Sequence, residues 1–319
     1  MVSGFAKYAL TALLLFVSPA AFAAERVNVA RSGIDIAFAP IEVGQAAHIW
    51  SDLGLDVEVV DVPGTRIEQV LTSGDADVGL GAAVALGARL KGVPTIGIAA
   101  IAGPPYNFTL IVPAHSPIKS VADLKGRSVA VSTAGSLTDW LVKDLARKQG
   151  WGTDGIKTVP LGGDEARVAA LRSNGGIDAD LAGLMQAVEL EDSGQTRTVV
   201  YFGDVVKDFQ NLVLKASDKF IAEHPDRLQL FLKGWFRSVV YMKSHQDEAV
   251  KVIATAFKID PAAVAKAYPI EMKMMSDDGT FSTSGMEVVR QSLVEMGILK
   301  TLPAMSDLYT DRFVPVKLN

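Results

Sequence analysis

Cysteine is absent from the sequence of 319 residues. Thiolate nucleophiles, iron–sulfur clusters and cysteine-ligated zinc sites are therefore excluded, because each of them requires a cysteine sulfur. A chain of this length can still be stable in an oxidising compartment, since its hydrophobic core is large enough to fold without disulfide bonds. The absence of cysteine thus restricts the chemistry of the protein but not its location.

Histidine is scarce, and runs of basic residues are missing. The four histidines are scattered and form no H-E-x-x-H motif, so a zinc hydrolase is not expected. The chain carries 31 Lys and Arg against 36 Asp and Glu, which gives a formal net charge of −5. An acidic chain without a basic run is not expected to bind nucleic acid or an anionic membrane surface.

A single apolar run, at the N-terminus, is typical of a targeting segment. Lys7 precedes the ten-residue run from Tyr8 to Val17, and the small-residue pattern Ala21-Phe22-Ala23 follows it. This order predicts a secretory signal peptide over residues 1–23, cleaved before Ala24. A membrane anchor is the weaker alternative, because a spanning helix needs about 20 apolar residues. No later run reaches 18 apolar residues, so the remaining chain is expected to be soluble.

An internal repeat dominates the rest of the sequence. Two stretches, beginning at Leu53 and Gln149, follow the same plan. Each has a glycine-ended helix, an apolar strand, a turn with Pro and Gly, an amphipathic helix, an Asp (Asp77 or Asp178) and a short strand of small residues. Alternating strands and helices predict parallel βαβ units, so two copies predict two similar α/β lobes.

Two apolar segments, one between the copies and one after the second copy, predict how the chain passes from one lobe to the other. The run from Tyr106 to Val112 is expected to carry the chain across, and the run from Phe209 to Leu214 is expected to return it. Lobe one is therefore predicted over residues 24–110 and 214–319, and lobe two over residues 111–213. The fold class is α/β, with a mainly parallel sheet flanked by helices in each lobe. Two crossings form a hinge, and hinge closure can trap a ligand.

The expected ligand site follows from the geometry of parallel sheets, in which ligands bind beyond the carboxyl ends of the strands. The loops at those ends contain backbone N–H groups, small residues and hydroxyls, with almost no acid–base groups. Helix N-termini and hydroxyl donors suit a carboxylate, a sulfonate or a similar oxyanion. The loops are Arg31 to Ile34, Pro63 to Arg66 and Gly81 to Val84 in lobe one, and Ser132 to Ser136, Leu161 to Asp164 and Ala182 to Met185 in lobe two.

The turn from Ser132 to Ser136 has two interpretations that the sequence leaves open. It lacks the second glycine of a nucleophile elbow, and the chain contains neither a Walker loop nor a dinucleotide-binding glycine motif. The turn is thus either an anion cradle or a simple helix cap. Trp50 and Trp140, which follow cleft loops, are expected to be core residues rather than ligand-stacking ones.

The order of several motifs resembles one family. These motifs include the run from Ser116 to Val131, with Asp123-Leu124-Lys125-Gly126 at its centre, and the run from Ser73 to Val78. From about Val27 to Leu299 the chain resembles the solute-binding proteins of ABC importers in the nitrate/sulfonate/taurine-type, NMT1/THI5-like family. The resemblance implies a type II periplasmic-binding-protein fold, a periplasmic location and docking on an inner-membrane permease.

The resemblance and the sheet geometry together select the predicted ligand contacts. These contacts lie in the cleft loops and at the first crossing, and they are Arg31, Ser32, Gly33, Ile34, Arg66, Gly81, Ala82, Ala83, Tyr106, Ser132, Thr133, Ala134, Gly135, Ser136, Gly183 and Leu184. Where many members have Glu-Pro after the last strand of lobe two, this chain has Leu184-Met185. This departure favours an organic anion with an apolar part over nitrate.

The sequence thus predicts a monomeric binding protein with no cofactor, no metal and no catalytic residues. Its expected ligand is a small sulfonate- or carboxylate-like anion. One alternative is a binding protein for a thiamine-pyrimidine or another heterocyclic precursor. A pyrimidine-synthase-like enzyme is the other alternative, although the resemblance implies a cysteine-rich motif for such enzymes, and this chain has no cysteine.

Overall fold

Two five-stranded sheets organise the computed structural model, which describes residues 24–173 and 175–318. The signal peptide predicted over residues 1–23 lies outside the described residues. The strands are β1 Glu25–Arg31, β2 Leu55–Asp61, β3 Val78–Ala82, β4 Thr95–Ala102, β5 Phe108–Pro113, β6 Ser128–Val131, β7 Lys157–Pro160, β8 Ala179–Gly183, β9 Thr196–Tyr201 and β10 Leu212–Ser217.

The two sheets have equivalent strand orders, β2-β1-β3-β10-β4 and β7-β6-β8-β5-β9. In the first sheet β10 is antiparallel to both of its neighbours, and in the second sheet β5 is. Both of these strands come directly after the chain passes from one sheet to the other. Each therefore enters its sheet from the edge at the cleft and is antiparallel to the other strands. The prediction of two mainly parallel α/β sheets is confirmed.

The internal repeat is visible in matching hydrogen bonds. In the first copy, the Asn28 N–H donates to the Asp77 carboxylate at 2.8 Å. In the second copy, the Ser128 N–H donates to the Asp178 carboxylate, also at 2.8 Å. Each aspartate therefore joins two neighbouring strands. Asp77 ties the start of β3 to β1, and Asp178 ties the start of β8 to β6. This role explains why both copies carry an aspartate at that position.

The helices flank both sheets and continue after the second crossing. The longest of them runs from Pro225 to Ser244, and Asp260 caps the helix that Pro261 begins. The apolar pattern from Ile41 to Trp50 predicts one continuous helix, but the helix is interrupted at His48, whose φ is 59°. The helices are α1 Pro40–Ala46, α2 Ile49–Asp52, α3 Ile67–Ser73, α4 Leu137–Lys148, α5 Asp164–Arg172, α6 Leu184–Asp192, α7 Phe202–Val205, α8 Asp218–Glu223, α9 Pro225–Ser244, α10 Gln246–Phe257, α11 Pro261–Glu271 and α12 Thr283–Glu295.

Both tryptophans that follow cleft loops belong to the core. Trp50 is 2% exposed and stacks on Phe231, with ring centroids 5.4 Å apart. Trp140 is 5% exposed and stacks on Phe209, also at 5.4 Å. Their aromatic faces are therefore occupied, and the core interpretation of both residues is confirmed.

The C-terminal helices contact lobe two as well as the first sheet. Helix α11 packs against α6, and side chains of both helices share one apolar cluster with α1 and α10. On α12, Glu295 accepts hydrogen bonds from Trp140 and Arg147 of α4. Across the described residues, no helix combines the length and the hydropathy that a membrane span requires.

Candidate functional site

The first two cleft loops of lobe one lie side by side at the carboxyl edge of the first sheet. A Cβ added to Gly64 would come within 3.2 Å of the Ser32 hydroxyl, so the two loops pack directly against each other. Gly33 has a φ of 76°, a backbone conformation that favours glycine. The next residue, Ile34, leaves 55% of its surface exposed. This edge therefore presents an apolar side chain beside backbone and hydroxyl groups.

The two predicted cations of lobe one have different surroundings. Arg31 is buried and donates to Asp61 at 3.1 Å and to Glu42 at 2.6 Å. Arg66 is exposed and makes no side-chain hydrogen bond or ion pair within residues 24–173 and 175–318. That Arg31 contacts the ligand stays a prediction. Its guanidinium is already bound to two carboxylates. Arg66 is thus the cation with donors to spare at this edge.

The turn from Ser132 to Ser136 is closed by its own hydroxyls. The Ser132 hydroxyl donates to the Ser136 hydroxyl at 3.0 Å, and both lie 2.9 Å from the Thr138 hydroxyl. Ser136 also donates to the Thr133 carbonyl at 2.7 Å and accepts from the Asp139 N–H at 3.4 Å, which makes it the N-cap of α4. Thr133 and Ala134 remain exposed. The cap interpretation therefore holds for Ser136, while ligand binding at this turn stays a prediction.

Replacing Ser136 by alanine is expected to lower the free energy of unfolding by about 1 kcal/mol, because α4 loses its N-cap. Replacing the exposed Thr133 by alanine is expected to change it by less than about 0.5 kcal/mol. Urea denaturation of both variants measures the two effects. Equal losses of stability would show that the cap of α4 does not depend on Ser136.

A buried arginine, Arg167 on α5, joins the cleft loop from Leu161 to Asp164 to strand β8. Its guanidinium donates to the Gly162 carbonyl at 2.7 Å, the Leu181 carbonyl at 3.2 Å and the Asp180 carboxylate at 2.9 Å. The Gly162 N–H in turn donates to the Ser132 carbonyl at 2.8 Å. Burial raises the pKa of Asp180 to about 6, although Arg167 acts in the opposite direction. Arg167 thus ties the loop at Gly162 to β8, and a backbone hydrogen bond ties the same loop to the turn at Ser132.

Two asparagines, Asn107 and Asn211, form the floor between the sheets, and sequence reasoning missed both. The Asn107 carbonyl accepts from the Leu184 N–H at 2.9 Å, and the Asn211 carbonyl accepts from the Ala83 N–H at 2.8 Å. The Asn211 amide donates to the Asn107 amide oxygen at 2.7 Å. Each asparagine precedes the strand that follows its crossing, so their matching positions were the one available signal.

A pair of carboxyl groups, the half-buried Asp35 and the buried Glu271, adjoins these asparagines. Asp35 accepts from the Ala37 N–H at 2.8 Å and from the Asn107 amide at 2.9 Å. Glu271, the last residue of α11, is 1% exposed and is hydrogen-bonded to Asp35. Burial raises the pKa of Glu271 well above its usual range, and the charge of Asp35 adds to the effect.

The remaining predicted contacts are also placed by the structure. The Tyr106 hydroxyl donates to Asp204 at 2.8 Å, so that hydroxyl already has a partner. Leu184 is buried in the apolar cluster shared with α11, and its N–H, not its side chain, faces Asn107. A Cβ on Gly81 would lie 3.5 Å from the ammonium of Lys215, which is buried and paired with Glu68. These ligand contacts remain predictions.

Two further features bear on the nature of the site. Among the described residues, no group of three or more His, Cys, Asp or Glu side chains is arranged to hold a metal ion. A surface groove of about 590 Å³ lies between α9 and the C-terminal segment from Arg312 to Lys317. This groove shares no lining residue with the cleft loops, so the geometry of the loops, not the size of the groove, indicates the site.

Comparison with known proteins identifies relatives over most of the chain. A family model described as NMT1/THI5 like matches residues 35–249. The 4-amino-5-hydroxymethyl-2-methylpyrimidine phosphate synthase of Candida albicans is 26% identical over 66% of this chain and 65% of its own length. A putative aliphatic sulfonates-binding protein of Bacillus subtilis is 27% identical over 49% of this chain and 46% of its own length. The chain thus spans less than two thirds of the length of these curated relatives.

Solved structures show the same fold at low sequence identity. The alkanesulfonate-binding protein SsuA of Xanthomonas axonopodis pv. citri, bound to MOPS, has a TM-score of 0.70 at 17% identity. The match covers 89% of this chain and 98% of SsuA. The desulfurization enzyme DszB has a TM-score of 0.62 at 18% identity, and the match covers 90% of this chain and 97% of DszB.

These comparisons correct one expectation. The prediction that the chain is not an enzyme is wrong, because curated relatives from Candida albicans and Schizosaccharomyces pombe are named as pyrimidine phosphate synthases. DszB, which shares the fold, is also an enzyme. The absence of cysteine excludes a cysteine-rich catalytic motif, but it does not exclude catalysis on this fold.

Proposed function

The chain belongs to the NMT1/THI5-like family, and from that premise we propose that it is the solute-binding component of an ABC importer. In this proposal the protein is exported to the periplasm and binds a small organic anion between its two sheets. It then delivers the anion, as a monomer, to a permease in the inner membrane. The sulfonate-binding relatives support a sulfonate or a carboxylate as the charged group of the ligand.

The observation that carries this proposal is the exposed guanidinium of Arg66 at the carboxyl edge of the first sheet, which has no side-chain partner among the described residues. Ser32 and the N–H groups of the adjacent loops supply further hydrogen-bond donors there. An arginine with free donors can bind a carboxylate or a sulfonate through two parallel hydrogen bonds. The exposed Ile34 beside it suits a ligand with an apolar part.

The curated relatives favour a second candidate function. Two of the pyrimidine phosphate synthases match this chain at 26% identity, so a pyrimidine precursor could be its ligand or its substrate. Thermal-shift measurements with sulfonates, carboxylates, nitrate, bicarbonate and pyrimidines compare the candidates, because a ligand that binds the native state raises its melting temperature. Mass spectrometry of the same mixtures detects turnover. A response to pyrimidines alone would contradict the transport proposal, and turnover of a pyrimidine would favour the second candidate.

Replacing Arg66 by glutamine is expected to weaken binding of the anion about tenfold to a hundredfold. Hydrogen bonds to a charged group contribute about 1.5–3 kcal/mol, and each 1.4 kcal/mol corresponds to about a factor of ten in affinity. Titration calorimetry with the ligand from the panel measures the change. Lys219→Gln, which removes an exposed cation from α8, is the control and should keep the affinity of the original protein. Equal affinities of the two variants would place the anion elsewhere.

A further inference from the structure

A groove outside the cleft lies between α9 and the C-terminal segment from Arg312 to Lys317. Its volume of about 590 Å³ falls within the range of about 300–1,000 Å³ that is typical of ligand-binding clefts. Asp226, Leu230 and Lys233 line it and share one face of α9, because they are spaced four and three residues apart. The groove therefore follows the axis of α9, and the stretch from Asp226 to Lys233 gives it a length of about 10 Å at about 1.5 Å per residue.

The second wall of the groove is held in place although it belongs to no helix or strand. Phe313 is 7% exposed and packs in the core cluster of the first sheet. The Val316 N–H donates to the Asp278 carbonyl at 2.8 Å. The Arg237 guanidinium on α9 donates to the Leu318 carbonyl at 2.9 Å. The groove is therefore preformed, so a ligand would not have to order this segment in order to bind.

Apolar residues supply more than half of the lining of the groove. They are Leu230, Leu232, Phe313, Val314, Pro315 and Val316. Leu230 leaves 37% of its surface exposed. A single exposed leucine is ordinary on a protein surface, but Leu230 lies in a groove whose other wall is also apolar. An apolar chain in the groove would remove both walls from water.

Positive charge is concentrated at the same groove, although the chain as a whole has a formal net charge of −5. Of the described lining residues, Lys233, Arg312 and Lys317 are basic and Asp226 is acidic. Arg312 and Lys317 are exposed, and within the described parts of the chain their side chains form no hydrogen bond or ion pair. The Arg312 guanidinium lies over the Phe313 ring, 5.1 Å from its centroid. The groove therefore offers hydrogen-bond donors to an anionic group.

The positions of these charges orient a ligand along the groove. Asp226 lies in the first turn of α9, and Lys233 lies about 10 Å further along the helix. Lys317 belongs to the second of these ends, because the residue after it, Leu318, is bonded to Arg237, one turn beyond Lys233. An anionic head group is repelled by Asp226 and attracted by Lys317, so it takes the end at Lys317. Its apolar tail then extends along α9 towards the first turn.

We propose that this groove is a second ligand site, which binds the monomeric carboxylate of an unbranched aliphatic acid. The carboxylate binds Lys317, and the chain lies between Leu230 and the segment from Val314 to Val316. A small inorganic anion would leave the apolar walls in contact with water, and a neutral hydrocarbon would leave the cations without a partner. The site is separate from the cleft and does not rest on the proposed function.

Titration calorimetry with decanoate, below the concentration at which it forms micelles, tests the site. We expect saturable binding of one decanoate per chain. Decanamide, which has the same chain but no charge, should bind about tenfold more weakly. Hexanoate should also bind more weakly than decanoate, by about fourfold for each methylene that the chain loses. No saturable binding of decanoate, or equal affinity for decanoate and decanamide, would overturn the proposal.

Variants show whether decanoate occupies the groove. Lys317→Gln removes the cation at the head-group end and should weaken binding about tenfold. Leu230→Gln should also weaken binding, because it places an amide on the apolar wall. Lys125→Gln removes an exposed cation of lobe two and should keep the affinity of the original protein.

Two results would place decanoate or the groove in another role. Binding that Arg66→Gln weakens and Lys317→Gln preserves would place the carboxylate in the cleft and overturn the groove site. Cosedimentation with phosphatidylglycerol vesicles, without binding of monomeric decanoate, would make the groove a membrane contact and would overturn the proposal as well.

Discussion

Replacing Arg167 by methionine is expected to lower the free energy of unfolding by about 3–5 kcal/mol. Arg167 is 3% exposed, and its partner Asp180 is 0% exposed. Removing the guanidinium leaves a buried carboxyl group whose other oxygen, Oδ2, already has no hydrogen-bond partner in the described part of the chain. It also leaves the carbonyls of Gly162 and Leu181 without this donor. Guanidinium chloride denaturation measures the loss.

A double-mutant cycle separates the ion pair from the packing of the side chain. Adding Asp180→Asn to Arg167→Met should recover about 1–3 kcal/mol, because no ionisable group then remains unpaired. Arg172→Met removes an exposed arginine from the same helix and should change the stability by less than about 0.5 kcal/mol. A loss for Arg167→Met no greater than that for Arg172→Met would show that the cleft loops of lobe two do not depend on this arginine.

Replacing Trp50 by alanine is expected to cost about 3–5 kcal/mol of unfolding free energy. The indole N–H of Trp50 donates to the Ile41 carbonyl at 2.9 Å, and its ring stacks on Phe231. The indole packs directly against two glycines. A Cβ on Gly44 would lie 2.6 Å from the indole nitrogen, and a Cβ on Gly234 would lie 2.2 Å from the indole ring, so neither position has room for a side chain. Alanine would therefore leave a large cavity between α1 and α9, which thermal or urea denaturation detects as lower stability.

The same variant tests whether Trp50 takes part in ligand binding. Because its ring is enclosed by α1 and α9, the folded Trp50→Ala protein should bind the ligand of the original protein with the same affinity. Trp151→Ala removes a half-buried indole from lobe two and should cost less stability. A stable Trp50→Ala variant with weakened binding would reverse the assignment of Trp50 to the core.

Much of the fold could be predicted because its signals are local. The aspartates at residues 77 and 178 mark equivalent places in the repeat, and both are observed to bind the backbone of the neighbouring strand. The start of α11 at Pro261 follows from its cap at Asp260. The interruption at His48 could not be predicted, because the apolar pattern continues through it.

The candidate site was predicted as a set of loops, but not as a set of interactions. Arg31 and Arg66 have the same chemistry in the sequence, yet one is bound to two carboxylates and the other is exposed. That difference depends on the positions of Glu42 and Asp61, which no local pattern specifies. The turn at Ser132 has the composition of an anion cradle, but its hydroxyls bind one another.

The sequence by itself determined the two repeated α/β units, their helices and the edge at which the cleft loops lie. These features depend on hydrophobic periodicity, turn residues and caps, which act over a few residues. Tertiary structure alone decided which charges are paired and where the unmatched acceptors lie. Asp35 and Glu271 are far apart along the chain and meet only because α11 returns to the first lobe. Burial then raises the pKa of Glu271, and this shift is a property of the folded environment and not of the residue alone.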